Sequence, residues 1–424
     1  MIFLLAIILF VNFIYCLYSF ASYLNPGSMF GAGFLLASLM CIWYYSEWNI
    51  NNLHSETFFI IATGVPIFTL VCKLVDKPKV YIEETSVKYN FSNKFLWLCI
   101  IYQVIVSFLT IRALMQVTGS TDLTLALTLF REQKTDESDT YKLPLLVRNL
   151  AFLAQALGYY FSYVSARMLV EKKTYKQTSL AFIIFALGTI ISLRGGSRGD
   201  FVLNIIGFVI FLHIFKIKLV HKKIKLKIRK LIKYGVLGVI LLYSFVMSIT
   251  FLGNKDSDSI DPIYGFAVYC GAEIKNLDYF VCETYDISPI FAKYTLGRNL
   301  SYQDDINFYK FRWVNSYNLG NVYTCFQYYY KDFGLFGTFI VIILIAFITQ
   351  KLYLHALRSR NVYKKIFDWR IFIFVFVIQR LAFSFFSEKF FLLIQWNYLK
   401  IILFVYFVNW YVKRYGLIIN TGKK

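Results

Sequence analysis

The segment Leu193-Arg-Gly-Gly-Ser-Arg-Gly-Asp200 carries the sharpest chemical signal in the chain. Glycines let successive backbone N–H groups converge into an anion-binding nest. Arg194 and Arg198 add planar, permanently charged forks that match phosphate oxygens. Asp200 opens the next apolar run, and the N-terminus of a helix also favours an anion. The pattern suits a pyrophosphate held at a membrane surface. The same residues equally make a tight turn in which Arg198 pairs with Asp200.

Other cations stand inside apolar runs: Arg112, Arg148, Arg380 beside Gln379, and Lys400 near Gln395 and Asn397. An ionisable group in hydrocarbon is costly unless partnered, so each is a functional candidate. Arg112 and Arg148 also fit snorkelling to the interface, and Lys400 a helix–helix contact. Arg380 sits further in and fits anion binding best.

A long polar stretch, 253–332, holds a second group. Arg298 and Arg312 bracket Asp304-Asp305, and both arginines are candidates for a second phosphate or sugar acid. Asn321-Val-Tyr323-Thr then leads to Tyr328-Tyr-Tyr-Lys-Asp332-Phe-Gly334. Tyrosines, asparagines and carboxylates suit sugars, whose rings stack on aromatic faces and whose hydroxyls need paired donors and acceptors. Asn321, Tyr323, Tyr328 and Asp332 are the sugar-binding candidates. A carboxylate beside an incoming hydroxyl acts as general base; the candidates are Glu273, Asp304 and Asp305. Each also reads as a helix cap or an ion-pair partner.

Several chemistries lack their residues. No Walker loop, dinucleotide glycine fingerprint or nucleophile elbow occurs. None of the four histidines (His54, His213, His221, His355) lies in the long polar stretch. Cys16, Cys41, Cys72 and Cys99 read as small hydrophobes. Cys270, Cys282 and Cys325 share the polar stretch without a CxxC, so neither a metal nor a cofactor is expected. A Cys270–Cys282 bridge is compatible with an oxidising compartment.

These residues need elements to hold them. The chain has 424 residues, 58% hydrophobic and 16% charged. Soluble domains run nearer 45–50% apolar and about 25% charged, which excludes a soluble enzyme, a disordered chain and a disulfide-stapled secreted domain. About eleven apolar runs approach the length that spans a bilayer. They fall near 2–21, 29–46, 57–75, 95–115, 145–169, 179–193, 201–219, 234–252, 334–354, 368–386 and 391–412. The expected fold is therefore all-α, a polytopic helical membrane protein. It divides into an N-terminal bundle of about eight helices (1–252), one large outer loop (253–333) and about three C-terminal helices (334–424). Ile263–Tyr285 reads as one helix lying on the membrane surface. A second outer loop, 116–144, reads as mostly solvated.

The net charge of +21 reads as topology rather than nucleic-acid binding. Lysines and arginines concentrate in loops near 73–94, 171–177, 216–233, 351–365 and 413–424, where the acids are only Asp76, Glu83, Glu84 and Glu171. Most other acids lie in the alternating loops. Basic loops stay cytoplasmic, so the N-terminus, 194–200 and 253–332 face outward. The first run has no cleavable-signal pattern and is expected to stay as a helix. The basic run His221–Lys230 is read as a topological anchor, with anionic lipid headgroups as its other partner.

The Ser192–Asp200 segment and the Asn321–Gly334 run, together with the hydropathy layout, resemble the Wzy-type oligosaccharide repeat-unit polymerases, the O-antigen polymerases. Lys331 is an extra residue between the tyrosine run and Asp332, and an arginine-x10-glycine repeat of some members is absent. The resemblance implies a C-type glycosyltransferase bundle in the bacterial inner membrane, with its active site facing the periplasm. It would transfer a growing glycan from one undecaprenyl pyrophosphate carrier to the terminal sugar of another lipid-linked repeat unit, in lipopolysaccharide or related polysaccharide biosynthesis. Arg194, Arg198 and Arg380 would hold the leaving pyrophosphate, with Arg298 and Arg312 serving the second carrier. Glu273, Asp304 or Asp305 would activate the acceptor. Its partners would be the lipid-linked donor and acceptor, the bilayer and a chain-length regulator, without nucleic acid, cofactor or metal. An O-antigen ligase and a lipid-linked oligosaccharide flippase are the alternatives.

Overall fold

A computed structural model describes residues 1–20, 22, 24–77, 89–135, 141–195, 199–219, 262–283, 287–288, 290–300, 308 and 310–418. The helices are α1 (Ile2–Ser19), α2 (Pro26–Trp43), α3 (Ser55–Val75), α4 (Asn93–Thr118), α5 (Leu123–Thr135), α6 (Leu145–Val170), α7 (Tyr175–Ile191) and α8 (Gly199–Leu219). They continue with α9 (Pro262–Cys270), α10 (Ala272–Cys282), α11 (Lys293–Leu300), α12 (Cys325–Arg358), α13 (Asn361–Lys364), α14 (Trp369–Leu381) and α15 (Trp396–Tyr411). Two short antiparallel pairs join β1 (Asn90–Phe91) to β4 (Leu417–Ile418), and β2 (Arg312–Val314) to β3 (Tyr317–Gly320).

Among the described residues, seven helical segments are long and apolar enough to cross a membrane: α1–α4, Tyr175–Arg194 (α7 with its last turn), α8 and α12. This is an all-α membrane protein. Helices suit hydrocarbon because they satisfy every backbone N–H and C=O within one segment. Outward faces match lipid. Phe3, Leu4, Ile7, Phe10 and Val11 form an exposed stripe on α1 at helical spacing. Trp97, Leu98, Ile101, Val104, Ile105 and Phe108 do so on α4. Apolar stripes of this extent do not face water on soluble proteins.

Three expected spans, 334–354, 368–386 and 391–412, have other lengths. The run at 234–252 lies outside the described residues. The C-terminal pair forms α14 of 13 residues and α15 of 16. At 1.5 Å per residue α14 is about 20 Å long, so it ends inside the bundle. The opposite holds for α12, which starts nine residues before its apolar run and breaks at Gly334 (φ 64°, ψ −169°). Only glycine adopts that conformation without strain.

Local signals start and stop the helices. Asn25 caps α2 by accepting from the Ser28 N–H (3.0 Å), and Pro26 fills its first turn. Gly119 ends α4 with φ 66°. Between α6 and α7, an added Cβ on Gly188 would fall 2.5 Å from the Gly158 Cα, and one on Gly158 2.8 Å from the Gly188 Cα. Lipid gives no hydrophobic drive between helices, so close backbone approach through small residues is what binds them.

Polar contacts sort the helix ends into two groups. At one, cations tie helices together through carbonyls. Arg167 is fully buried and donates to Glu171 and to the Lys365 and Ile366 carbonyls. Lys218 donates to Leu357 O, and Arg358 to Lys77 O. This end carries the basic loops. At the other, the Cys325 N–H donates to Ser384 O, joining the start of α12 to the end of α14. The described residues of 262–332, rich in acids and tyrosines, pack there.

Those residues do not form a single surface helix. The expected helix splits at Gly271, where a Cβ would meet Met40 Cβ at 2.6 Å. The glycine lets the chain press on α2, and Cys41 Sγ donates to its carbonyl (3.2 Å). In α10 the residues from Ala272 to Asp278 are all buried. The second outer loop is also less solvated than its charge implies: Ala126 and Phe130 of α5 are buried against Ala113, Leu114 and Leu143.

The β2–β3 hairpin turns on Asn315 and Ser316, both at positive φ (48° and 68°). A two-residue turn of this hand matches strand twist. Asp332 holds the start of α11 by accepting from the Tyr294 and Thr295 N–H groups (3.0 and 2.6 Å). Asp332→Ala should cost about 1–2 kcal/mol, a lost helix cap, and hydrogen exchange should rise at 293–300 while the α6–α7 amides keep their protection.

Candidate functional site

The loop-side ends of α6, α7, α8, α14 and α15 gather the cations that the sequence scatters. Arg194, in the last turn after α7, lies with its guanidinium 4.6 Å from the Phe152 ring centre. Lys400 Nζ lies 5.8 Å from the same ring and 5.7 Å from that of Trp396. Phe152 on α6 is thus flanked by two cations. Its helix also carries Tyr159, seven residues on and on the same face, about 10 Å away.

At that level sits Arg380. It is 1% exposed, between the rings of Phe376 (4.1 Å) and Tyr398 (4.4 Å). Its Nη1 donates to Phe376 O (2.9 Å) and its Nη2 to Tyr159 Oη (3.4 Å). The Gln379 amide, oriented to donate to Leu203 O (2.9 Å), accepts from Arg380 Nη1 (2.9 Å). Gly207 makes room: a Cβ there would fall 2.1 Å from that amide. The placement has a local logic, because the C-terminal end of a helix dipole favours a cation.

One described carboxylate serves this cluster. Asp200, in the first turn of α8, lies 3.9 Å from Arg380 Nη2 and accepts from Tyr398 Oη (3.5 Å). Three cations against one acid leave a positive excess, screened from water by aromatic rings. Arg194 Nη1, Arg380 Nε and Arg148 Nε are buried without a hydrogen-bond partner among the described residues. Buried donors left unsatisfied cost about 1–3 kcal/mol each, more when charged. An anion with several oxygens would satisfy those of Arg194 and Arg380.

The expected site residues divide clearly. Arg194 and Arg380 come together. Arg198, Asp304, Asp305 and the Arg298 side chain lie outside the described residues. Arg112 lines a separate groove on α4 with Phe108 and Gly119. Arg312 is committed within the loop-side unit: Nη1 and Nη2 make a two-pronged pair with Glu283, and Nε donates to Tyr323 Oη (3.0 Å). These bonds raise the proton affinity of Arg312 above its ordinary value, although burial opposes it. Tyr323 in turn donates to Lys310 O (2.8 Å). Asn321 is half-buried just after the hairpin, Tyr328 Oη meets Ser387 Oγ at 3.4 Å, and Asp332 caps α11.

Glu273 is fully buried against α2, and neither carboxyl oxygen has a partner among the described residues. Burial pushes its carboxyl well above the usual range, so it is held neutral. That is a poor setting for taking a proton from an incoming hydroxyl.

Sequence reading missed Tyr159, Tyr398 and Glu388. The i, i+7 spacing of Phe152 and Tyr159 was the available signal for the first. Glu388, in the turn after α14, is buried and accepts from the Phe391 N–H (2.8 Å) and from Tyr329 Oη (3.4 Å). Burial raises its carboxyl from 4.5 to about 7, against the backbone N–H groups that lower it. A carboxyl poised near neutrality is what proton transfer needs.

The sign of its pH effect follows. Below about pH 4.5 the group is neutral folded and unfolded. As pH rises towards 7 only the unfolded chain ionises, and the folded state loses about 3 kcal/mol relative to it. Above 7 the loss is constant. Glu388→Gln should therefore match the wild type in melting temperature at acid pH and exceed it at pH 8. Equal differences at both pH values would refute the assignment.

No known protein family, curated protein or solved structure matches this chain, so its functional assignment rests on its own residues.

Proposed function

We propose that the protein polymerises lipid-linked oligosaccharide repeat units at the outer face of a bacterial inner membrane. The carrying observation is the Arg194–Arg380–Lys400 cluster, with its excess positive charge and orphaned buried donors at the loop-side end of a membrane bundle. A polyprenyl pyrophosphate presents its anion at the depth where the lipid tail still lies in hydrocarbon, which suits cations on aromatic rings just inside a bundle.

In the proposed reaction the anomeric C–O bond to the donor pyrophosphate breaks. The acceptor sugar hydroxyl forms the new glycosidic C–O bond, its proton passes to a carboxylate, and the polyprenyl pyrophosphate leaves. Arg194, Arg198 and Arg380 stabilise the negative charge that grows on the leaving oxygen, the kind of electrostatic term worth about 10²–10³ in rate per donor. Lys400 adds charge without geometry. The base is drawn from Glu388, Asp304 and Asp305. The tyrosine-rich hairpin unit offers the sugar-facing surface.

The test is a silver-stained gel of surface glycan in a deletion strain complemented with wild type or Arg198→Ala. Long chains with wild type, and single repeats with the variant at equal protein abundance, support the proposal. Loss of even single capped repeats in the deletion strain would indicate a flippase. Long chains that stay on the carrier would indicate a ligase. Wild-type lengths with Arg198→Ala would remove that arginine from the site.

A further inference from the structure

The loop before α3 and the helix α10 bring a second set of chemistry-bearing residues together, away from the arginine cluster. One ring nitrogen of His54, a carboxylate oxygen of Asp278 and Cys282 Sγ all lie within 4.8 Å of one another. Asp278 and Cys282 stand four apart on α10 and so share a face. His54 comes from more than two hundred positions earlier in the chain.

The geometry points to a zinc-class metal site formed by His54, Asp278 and Cys282. Imidazole, carboxylate and thiolate together form the donor set that zinc accepts at about 2.0–2.3 Å. A tetrahedral ion at those bond lengths holds neighbouring nitrogen and oxygen ligands about 3.3 Å apart, and His54 Nδ1 lies 3.2 Å from Asp278 Oδ1. Cys282 Sγ, within 4.8 Å of both, supplies the third ligand.

The surroundings orient the ligands. Asp278 is 1% exposed, and its Oδ2 accepts from Lys275 Nζ at 3.0 Å. Its Oδ1 accepts from the His54 backbone N–H at 2.8 Å and retains a lone pair. Bonds of this kind fix a ligand carboxylate and tune the metal. Burial first, and then the carboxylates of Asp278, Glu56 and Glu283 against Lys275, push the Cys282 thiol up, so a metal must displace its proton. Binding exchanges the thiol proton for the metal, and that proton goes to solvent. The His54 side chain is 57% exposed, so the site opens to water, which completes the coordination.

Three protein ligands leave the fourth position to water, the arrangement of an open zinc site. The rival reading is a plain His54–Asp278 hydrogen bond beside a bystander thiol. Cysteine burial separates the two. Cys282 is the exposed one of the seven cysteines, and the other six are buried, so an impermeant maleimide reports on it alone.

The test uses the full chain, purified in detergent and stripped of metal. Added Co(II) should give a near-ultraviolet thiolate charge-transfer band that Zn(II) abolishes, and Zn(II) should slow maleimide labelling of Cys282 at least tenfold. Cys282→Ser should lose the band, and His54→Ala should weaken both effects tenfold or more. No band and unchanged labelling of the wild-type protein would overturn the site. So would an undiminished band in Cys282→Ser, or equal protection by Mg(II), a hard ion that prefers oxygen ligands. The wild-type arms do not depend on any variant folding, and the outcome is separate from that of the polymerase reading.

Discussion

Cells carrying Arg380→Met should show single-repeat glycan with at most traces of longer chains, a loss of about 10²–10³ in polymerisation rate. The residue is large, 1% exposed and at the end of a short helix, so protein abundance must be measured beside the gel. Methionine keeps volume and removes the charge. Asp200 then keeps Tyr398 as a donor, which limits the cost of leaving a carboxylate unpaired. Arg380→Lys should fall between the two, because an ammonium keeps the charge but cannot serve Phe376 O, Tyr159 and an anion at fixed angles at once. Long chains from Arg380→Met at normal abundance would refute the role given to this arginine.

The largest stability effect is expected at a position with no polar atom in its side chain. Gly188→Leu should leave little folded protein in detergent, judged by fluorescence-detected size exclusion. The first side-chain atom would sit 2.5 Å from the Gly158 Cα and 2.8 Å from its N. Both are backbone atoms, so no rotamer change relieves the clash, and α6 and α7 must separate. Overpacking in a dense core costs about 1–3 kcal/mol, and leucine exceeds this because two helices move. Gly158→Ala and Gly188→Ala should each destabilise, and their combination by less than the sum, since both open the same contact. Additive effects would show that the helices do not meet there.

The two predictions probe features of different legibility. Arg380 stood out in the sequence because an arginine within an apolar run demands an explanation. Gly158 and Gly188 did not, because a glycine in a membrane helix reveals its purpose only with its partner in view. The same distinction runs through the site. The Arg194 segment was legible from spacing. Its position over Phe152, and the grouping with Lys400 and Arg380, was not. Arg312 read as a loop arginine for a second phosphate or sugar acid, yet it is engaged by Glu283 and Tyr323. Glu273 read as an accessible acid on a surface helix, whereas Gly271 lets that segment press against α2 and buries it.

By itself the sequence determined the class of structure. Runs of about twenty apolar residues have one stable form in hydrocarbon, the helix, because no water is there to satisfy the backbone. That constraint is local, so it is readable locally, as are caps such as Asn25 and stops such as Gly119. Tertiary structure decided which charges are free and which are spent. An arginine's function depends on whether an acid, a hydroxyl or a carbonyl from a distant segment already occupies its donors. Residues more than a hundred positions apart settle this for Arg167, Arg380 and the His54–Asp278–Cys282 cluster. Such pairings follow from how helices pack, and packing is fixed by shapes that no single segment carries.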